Sequence, residues 1–373
     1  MAEVIAVSEM RLTAGPTGTL SYLPEYLERA IAGWPIGRCF LIPENRPTAP
    51  ANDRHFTECF GQIAKHAPLG HRDYVFIDRS AESGAIRARL EHLNRLCDEV
   101  GLPPEQLIYV SQNSKVALAR GTRGPQWLFF HHYAVSMARK YAHHGGDYGF
   151  SSASERILCL NAKVRPHRLA GAAAARRILR DRLWLTWGGK DDLFTVEKAM
   201  AEIREVLPSF ESVALEQHLP ESSLPNSVGV GGHEDAPLEA AAQCFLHLVT
   251  ESDYRHYSDR FSEKVLKPIA LHRPFIVYGP QGILRRLREL GFRTFGDILD
   301  ETYDEIENED ARLAAVLASL EALSRRDHRT VIDAASDICR HNQAHLIAGL
   351  EQRLFKRFEA DLARLLALPE PRT

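Results

Sequence analysis

The sequence predicts an α/β chain in two parallel-sheet halves with a helical C-terminal tail, and three observations predict it. Short apolar runs alternate with segments of helical spacing up to about residue 300, a polar, glycine-rich crossing at 143–149 divides that alternation, and almost everything after residue 304 has helical spacing. Alternating strands and helices imply a mostly parallel sheet covered by helices. The expected architecture is two Rossmann-like domains facing a cleft, at 1–150 and 151–310, with a helical tail over 311–373.

In the first half the runs 4–8, 38–42, 74–77, 106–110 and 126–130 read as strands. Residues 22–31 and 83–100 read as helices, the second with Ile86, Leu90, Leu93, Leu96 and Cys97 on one stripe. The second half opens with a strand at 156–160, an alanine-rich helix at 166–180, a strand at 183–186 and a helix at 196–206. Strands at 245–250 and 275–278 follow, separated by a short helix that Ser262 suits as N-cap. Pro268 should kink or break that helix, because it removes one hydrogen bond and biases Lys267 away from the α region. A helix at 282–290 is closed by Gly291, and the tail reads as helices at 310–324, 330–342 and 344–366.

Composition narrows the function classes. At 373 residues the chain exceeds the size at which one core normally keeps growing, and its 45% apolar and 25% charged residues are ordinary for a globular protein. A formal charge of -3 argues against a dedicated polyanion binder. The first residues lack a basic n-region, and no window approaches the ~18 apolar residues of a spanning helix. Six scattered cysteines without a Cys-x-x-Cys pair fit reduced thiols in a cytoplasmic protein.

Two clusters carry chemistry. Directly after the strand 156–160 come Asn161, Lys163, Arg165, His167 and Arg168, where a helix begins. A helix N-terminus offers free N–H groups and partial positive charge, and Arg adds planar donors that match phosphate oxygens. The glycines of a Walker A or Gly-x-Gly-x-x-Gly loop are missing. The second cluster holds Glu251 at a strand end, then Ser262, Glu263, Lys264 and Lys267. Glu263 suits the helix dipole, whereas Lys264 opposes it unless an anion lies nearby. The bland alternative is a Glu263–Lys267 surface pair worth about 0.3–0.5 kcal/mol. In the first half Glu9, Asp78, His131 and His132 follow strands, and Glu9 and then His132 are the candidates for a general base. The pairs His131–His132 and His143–His144 do not complete a metal site, since adjacent residues of a strand face opposite ways. Asp191–Asp192 reads as a helix start, so no metal or cofactor is expected.

The basic loop at 161–168, the Phe-Ser-Glu-Lys at 261–264 and the Pro-Phe-Ile-Val strand ending in Gly279 together resemble the donor half of GT-B glycosyltransferases. They look most like fucosyltransferase and exostosin-type enzymes. Bacterial and phage glycosyltransferase-like proteins are closer still, with matching segments at 160–168, 263–269, 290–295 and 301–304. The resemblance covers roughly residues 156–312, and Pro268 and His272 depart from its small-residue helix. It implies a metal-independent glycosyltransferase whose nucleotide-sugar donor is contacted by Arg165 or Arg168 at the diphosphate. Glu263 would meet the ribose, and Lys264 a phosphate or ribose oxygen. The acceptor is unassigned, whether glycan, protein, small molecule or nucleic acid. As in the resembled fold, the last helix should pack back on the first domain, with a homodimer contact as the alternative. Two rival functions stay open. One is a non-catalytic nucleotide-sugar-binding partner protein. The other is a DNA-base glycosyltransferase, for which Arg38, Arg46, Arg54, Lys65, Arg72 and Arg79 would supply a basic face.

Overall fold

The computed structural model describes residues 3–6, 22–43, 49–66, 68–80, 86–119, 125–142, 145–161, 163–187, 195–216 and 238–367. The chain divides into two compact units, 1–136 with 350–373, and 137–349. In chain order the first contains β1 (Glu3–Ala6), α1 (Leu23–Ile31), β2 (Arg38–Pro43), α2 (Ala49–Ala64), β3 (Tyr74–Asp78), α3 (Ile86–Val100), β4 (Leu107–Ser111), α4 (Lys115–Ala119) and β5 (Gln126–Phe129). Helix α5 (His132–Tyr141) runs across the boundary into the second unit. That unit continues with β6 (Ser154–Asn161), α6 (Pro166–Leu179), β7 (Leu183–Trp187), α7 (Val196–Val206), α8 (Glu211–Glu216), α9 (Leu238–Gln243), β8 (Cys244–Thr250), α10 (Glu263–Ala270), β9 (Phe275–Tyr278), α11 (Ile283–Glu289), α12 (Glu309–Ser324) and α13 (His328–Ile347). Helix α14 (Leu350–Leu365) returns to the first unit, where it packs on α1 and β5.

Every described strand pair is parallel. In unit 1 the five strands lie in chain order, β1-β2-β3-β4-β5, so the connections never reverse direction. One face of that sheet, with Phe40, Ile42, Val75, Ile77 and Tyr109, packs against Phe56, Phe60 and Leu93 of α2 and α3. Elsewhere in the unit, Tyr26 of α1 meets Phe130, Phe355 and Phe358 edge-on, a geometry aromatic rings favour.

Unit 2 has a four-stranded sheet ordered β7-β6-β8-β9. The chain moves from β6 to β7 on one side and later returns to β8 on the other, so the order reverses at β6. A ligand crevice is expected outside the carboxyl ends of the strands at such a reversal, here between β6 and β8. Helix α6 is buried almost all round over its first ten residues, His167 and Arg168 included. Its alanines and Gly171 let it approach closely, a Cβ on Gly171 lying 3.7 Å from Leu313 of α12 and 3.9 Å from Thr250 of β8.

Three local expectations are changed by tertiary structure. Helix α10 runs unbroken through Pro268, which falls in its last turn, where a proline disturbs only the helix end. The break in the tail comes at Gly349, with φ 104°, rather than after Asn342. The strand at the end of unit 1's sheet stops at Phe129 rather than at 130, and His132, which follows that strand as expected, is also the first residue of α5. Helix α11 closes as expected: Gly291 adopts φ 92°, with Phe292 N–H donating to Leu287 O (3.1 Å) and Gly291 N–H to Arg288 O (2.9 Å). Among the described residues no helix is long and apolar enough to cross a membrane.

Candidate functional site

The strand ends β6 and β8 are tied by Asn161. Its Oδ1 accepts from Thr250 Oγ1 (2.6 Å), and its backbone N–H donates to Thr186 Oγ1 of β7 (3.0 Å). The residue proposed from sequence as a ligand contact therefore ties three strands together at the strand-order reversal.

Arg165 is the N-cap residue of α6 in extended conformation, and Pro166 at the first helical position fixes the entry of the chain. His167, 1% exposed, donates from Nε2 to Glu251 O (2.7 Å) and stacks on Tyr254 with ring centroids 4.3 Å apart. With Nε2 as donor, the neutral ring leaves Nδ1 as an acceptor. Burial, and then the neighbouring Arg168, push His167 down to about 3. Arg168, 4% exposed, donates to Glu251 O (3.2 Å) and Lys163 O (3.5 Å), while its Nε has no hydrogen-bond partner among the described residues. Burial and then Arg165 lower its pKa to about 10, with Glu263 and Glu251 opposing. It stays charged at neutral pH.

Glu251, proposed as a ligand contact, is 1% exposed and built into the backbone. Its Oε2 accepts from Ser252 N–H (3.1 Å), Ser262 N–H (3.1 Å) and Ser262 Oγ (2.5 Å), and its Oε1 from Val265 N–H (3.2 Å). A carboxylate at a helix N-terminus satisfies donors the helix leaves open and complements its dipole. Ser262 caps α10 by accepting from Lys264 N–H (3.3 Å). The anomaly of Lys264 at that end is resolved by its neighbours. Its Nζ reaches Glu263 Oε1 (2.6 Å) and Ser252 Oγ (3.0 Å), so Glu263 pairs with the adjacent lysine. Lys267 lies one turn further along α10, near enough to His247 in the middle of β8 to lower that histidine's pKa.

Several residues that build the site had no role assigned from the sequence. Arg312, 1% exposed, donates from Nε to Gly279 O (3.0 Å), from one terminal nitrogen to Ile306 O (2.6 Å) and Glu307 O (2.8 Å), and from the other to Tyr254 O. It thereby fixes the loop 251–262 to the end of β9. The available signal was its position on the buried stripe of α12, with Val316, Leu320 and Leu323. Arg260 anchors the same loop through Asp253 (2.6 Å). Asp304 caps α11 by accepting from Leu284 N–H (2.9 Å) and Arg285 N–H (3.0 Å).

The remaining sequence candidates fall elsewhere. Glu9, His143, His144, Asp191 and Asp192 lie outside the described residues. In unit 1 His132 is 1% exposed, its ring 5.5 Å from that of Tyr22, and His131 Nδ1 accepts from Ala134 N–H (3.1 Å), capping α5. Of the first-half cations, Arg38 is bound to Asp73 (2.6 Å) and Arg79 is 2% exposed, so neither belongs to an open basic face. Among the described residues no group of three or more His, Cys, Asp or Glu is placed to hold a metal ion.

Gly279 is required by packing. A Cβ there would lie 2.9 Å from Ile283 Cδ1 and 3.3 Å from Cβ and Cγ of Glu251. The isoleucine end can turn aside, but the Glu251 stem is held by its carboxylate. Gly279→Ala is expected to cost about 1–3 kcal/mol as an overpacking change, read from the denaturant midpoint.

The buried imidazoles set an acid limit. His167 and His247 are each held at about 3, against 6.5 for a free side chain, by burial first and then by Arg168 and Arg273 respectively. Between those values the unfolded chain binds more protons than the folded one. Stability is therefore full above pH 6.5 and falls with pH below it, by up to about 1.4 kcal/mol per unit per histidine. Thermal midpoints followed from neutral pH to mild acid should fall, and His247→Gln should make that fall shallower.

No family model matches the chain, and no curated protein does. Among solved structures the chain is similar to AviGT4, a glycosyltransferase involved in avilamycin A biosynthesis. Identity is 14%, with 98% of this chain and 97% of that chain covered, at a TM-score of 0.37.

Proposed function

We propose that the protein is a glycosyltransferase using a nucleotide-activated sugar, and that unit 2 holds the donor. The observation that carries this reading is Arg168. It is a buried guanidinium at the first turn of α6 and at the strand-order reversal, bonded only to backbone carbonyls among the described residues, with Nε unpartnered. Arg165 lies close enough to lower its pKa, and Lys264 stands at the start of α10 across the same strand ends. In the proposed reaction these cations meet the diphosphate. Preorganised positive charge stabilises a leaving nucleoside diphosphate as its bond to the sugar breaks, without a bound metal. Glu263 orients the Lys264 ammonium and takes a ribose hydroxyl. The acceptor is assigned to unit 1, with Glu9 and His132 as the proposed bases for its hydroxyl proton.

The test is a thermal-shift titration with uridine and guanosine diphosphates and their sugars, followed by a transfer assay. A ligand of the folded state at about 100 times its Kd adds about 2.7 kcal/mol of stability. A midpoint unmoved by all of these ligands would overturn the reading. Binding without hydrolysis or transfer to any acceptor would replace it with a non-catalytic nucleotide-sugar-binding protein.

A further inference from the structure

A second polar cluster lies in unit 1, where β3, β4 and β5 end side by side. Asp78, Ser111 and Asn113 are each 1% exposed and His131 is 3% exposed, and the fold uses all four. Asp78 Oδ1 accepts from Ser80 N–H (3.1 Å) and Oγ (2.6 Å), Ser111 Oγ from Asn113 N–H (3.1 Å), Asn113 Oδ1 from Lys115 N–H (3.2 Å), and His131 Nδ1 from Ala134 N–H (3.1 Å). Gln112 differs. It is 1% exposed, and neither Oε1 nor Nε2 has a hydrogen-bond partner among the described residues.

A primary amide can accept two hydrogen bonds and donate two, and burying it unbonded is costly. Met is close to Gln in length and carries no such penalty, so the fold alone gives no reason for a glutamine here. A buried polar group that the fold leaves unsatisfied calls for a ligand, a water or a role in chemistry. We propose that Gln112 is the recognition residue of a site for a hydroxyl-rich small molecule, a sugar or polyol, at the ends of β3, β4 and β5. A carboxamide gives and takes a hydrogen bond through adjacent atoms, as a hydroxyl does through one, so the two pair in either sense. A bare anion would engage only the nitrogen, and a cation only the oxygen. The inference stands on unit 1 alone. In a transferase this ligand would be the acceptor, but its binding needs no nucleotide.

The experiment uses the full chain without nucleotide, with glucose, galactose and glycerol as separate probes in saturation-transfer NMR and thermal-shift titrations. At least one probe should bind the wild type. Gln112→Met should keep or raise the unliganded midpoint while weakening that probe by at least about 10-fold. Gln112→Glu, which keeps the size and the acceptor but loses the donor, should weaken it less. If Gln112→Met does not fold, the Glu variant decides alone, since an unchanged affinity would exclude recognition. No binding of any probe to the wild type, or equal binding to wild type and variants, would overturn the proposal in favour of a buried water. Nucleotide binding by unit 2 is measured separately, so neither reading falls with the other.

Discussion

Arg273→Met is expected to lower unfolding free energy by about 3–5 kcal/mol, the largest single-residue effect outside the apolar cores. Arg273 is 1% exposed, and its guanidinium is spread over seven carbonyls, those of Asp147, Tyr148, Ala241, Ala242, Cys244, Leu271 and His272. These carbonyls come from the segment before β6, the α9–β8 junction and the end of α10. The methionine would fill much of the space, yet it would strand buried acceptors, each costing roughly 1–3 kcal/mol when left unbonded. The sum is not additive, because loops can admit water, which is why the expected total is smaller than the list of bonds suggests. Burial already lowers the guanidinium pKa to about 10, with Cys339, Cys244 and Asp147 opposing. Arg273→Lys should rescue little, since one ammonium with three donors cannot span the fork. Urea midpoints check this against Arg325→Met, whose side chain is 74% exposed on a surface pair and should change stability by less than about 0.5 kcal/mol.

Why Arg273 was invisible in the sequence explains where sequence reading stops. It stands in Leu-His-Arg-Pro, between the end of α10 and β9, and both neighbours were legible as a helix and a strand because their signals are local, although the break expected at Pro268 is absent. A serine cap, an apolar run and a terminal glycine act within one turn or one strand. The partners of Arg273 lie up to 126 residues away, and nothing near it in the chain announces them. Arg312 has the same character at shorter range, and only its place on an apolar helix stripe betrays burial. Glu251 was legible as a strand-end carboxylate, but whether such a group faces a ligand or caps the next helix depends on where the loop 251–262 folds back. The sequential strand order of unit 1 was likewise hidden, because alternation predicts parallel pairing without saying which side each strand joins.

The donor proposal predicts that Arg168→Ala reduces affinity for a nucleoside diphosphate by roughly 30-fold or more, the 2–5 kcal/mol typical of removing one partner of a buried charge contact. Arg168 also donates to Glu251 O and Lys163 O, so the variant should lose some stability as well. Two further variants separate those effects. Arg168→Lys keeps the charge but not the planar fork, and should recover only part of the affinity if phosphate is held by paired donors. Glu263→Ala removes the carboxylate 2.6 Å from Lys264, leaving the cation less well placed, and should weaken nucleotide binding while the Glu251 cap keeps α10 in place. Calorimetry with the diphosphate alone reads all three without requiring an acceptor. If Arg168→Ala and Glu263→Ala both bind as the wild type does, the cluster between β6 and β8 is structural and the donor lies elsewhere. If only Glu263→Ala is silent, phosphate recognition survives while the ribose contact fails. The buried arginine and the helix-start lysine are thus separable claims, and the arginine is the one on which the function rests.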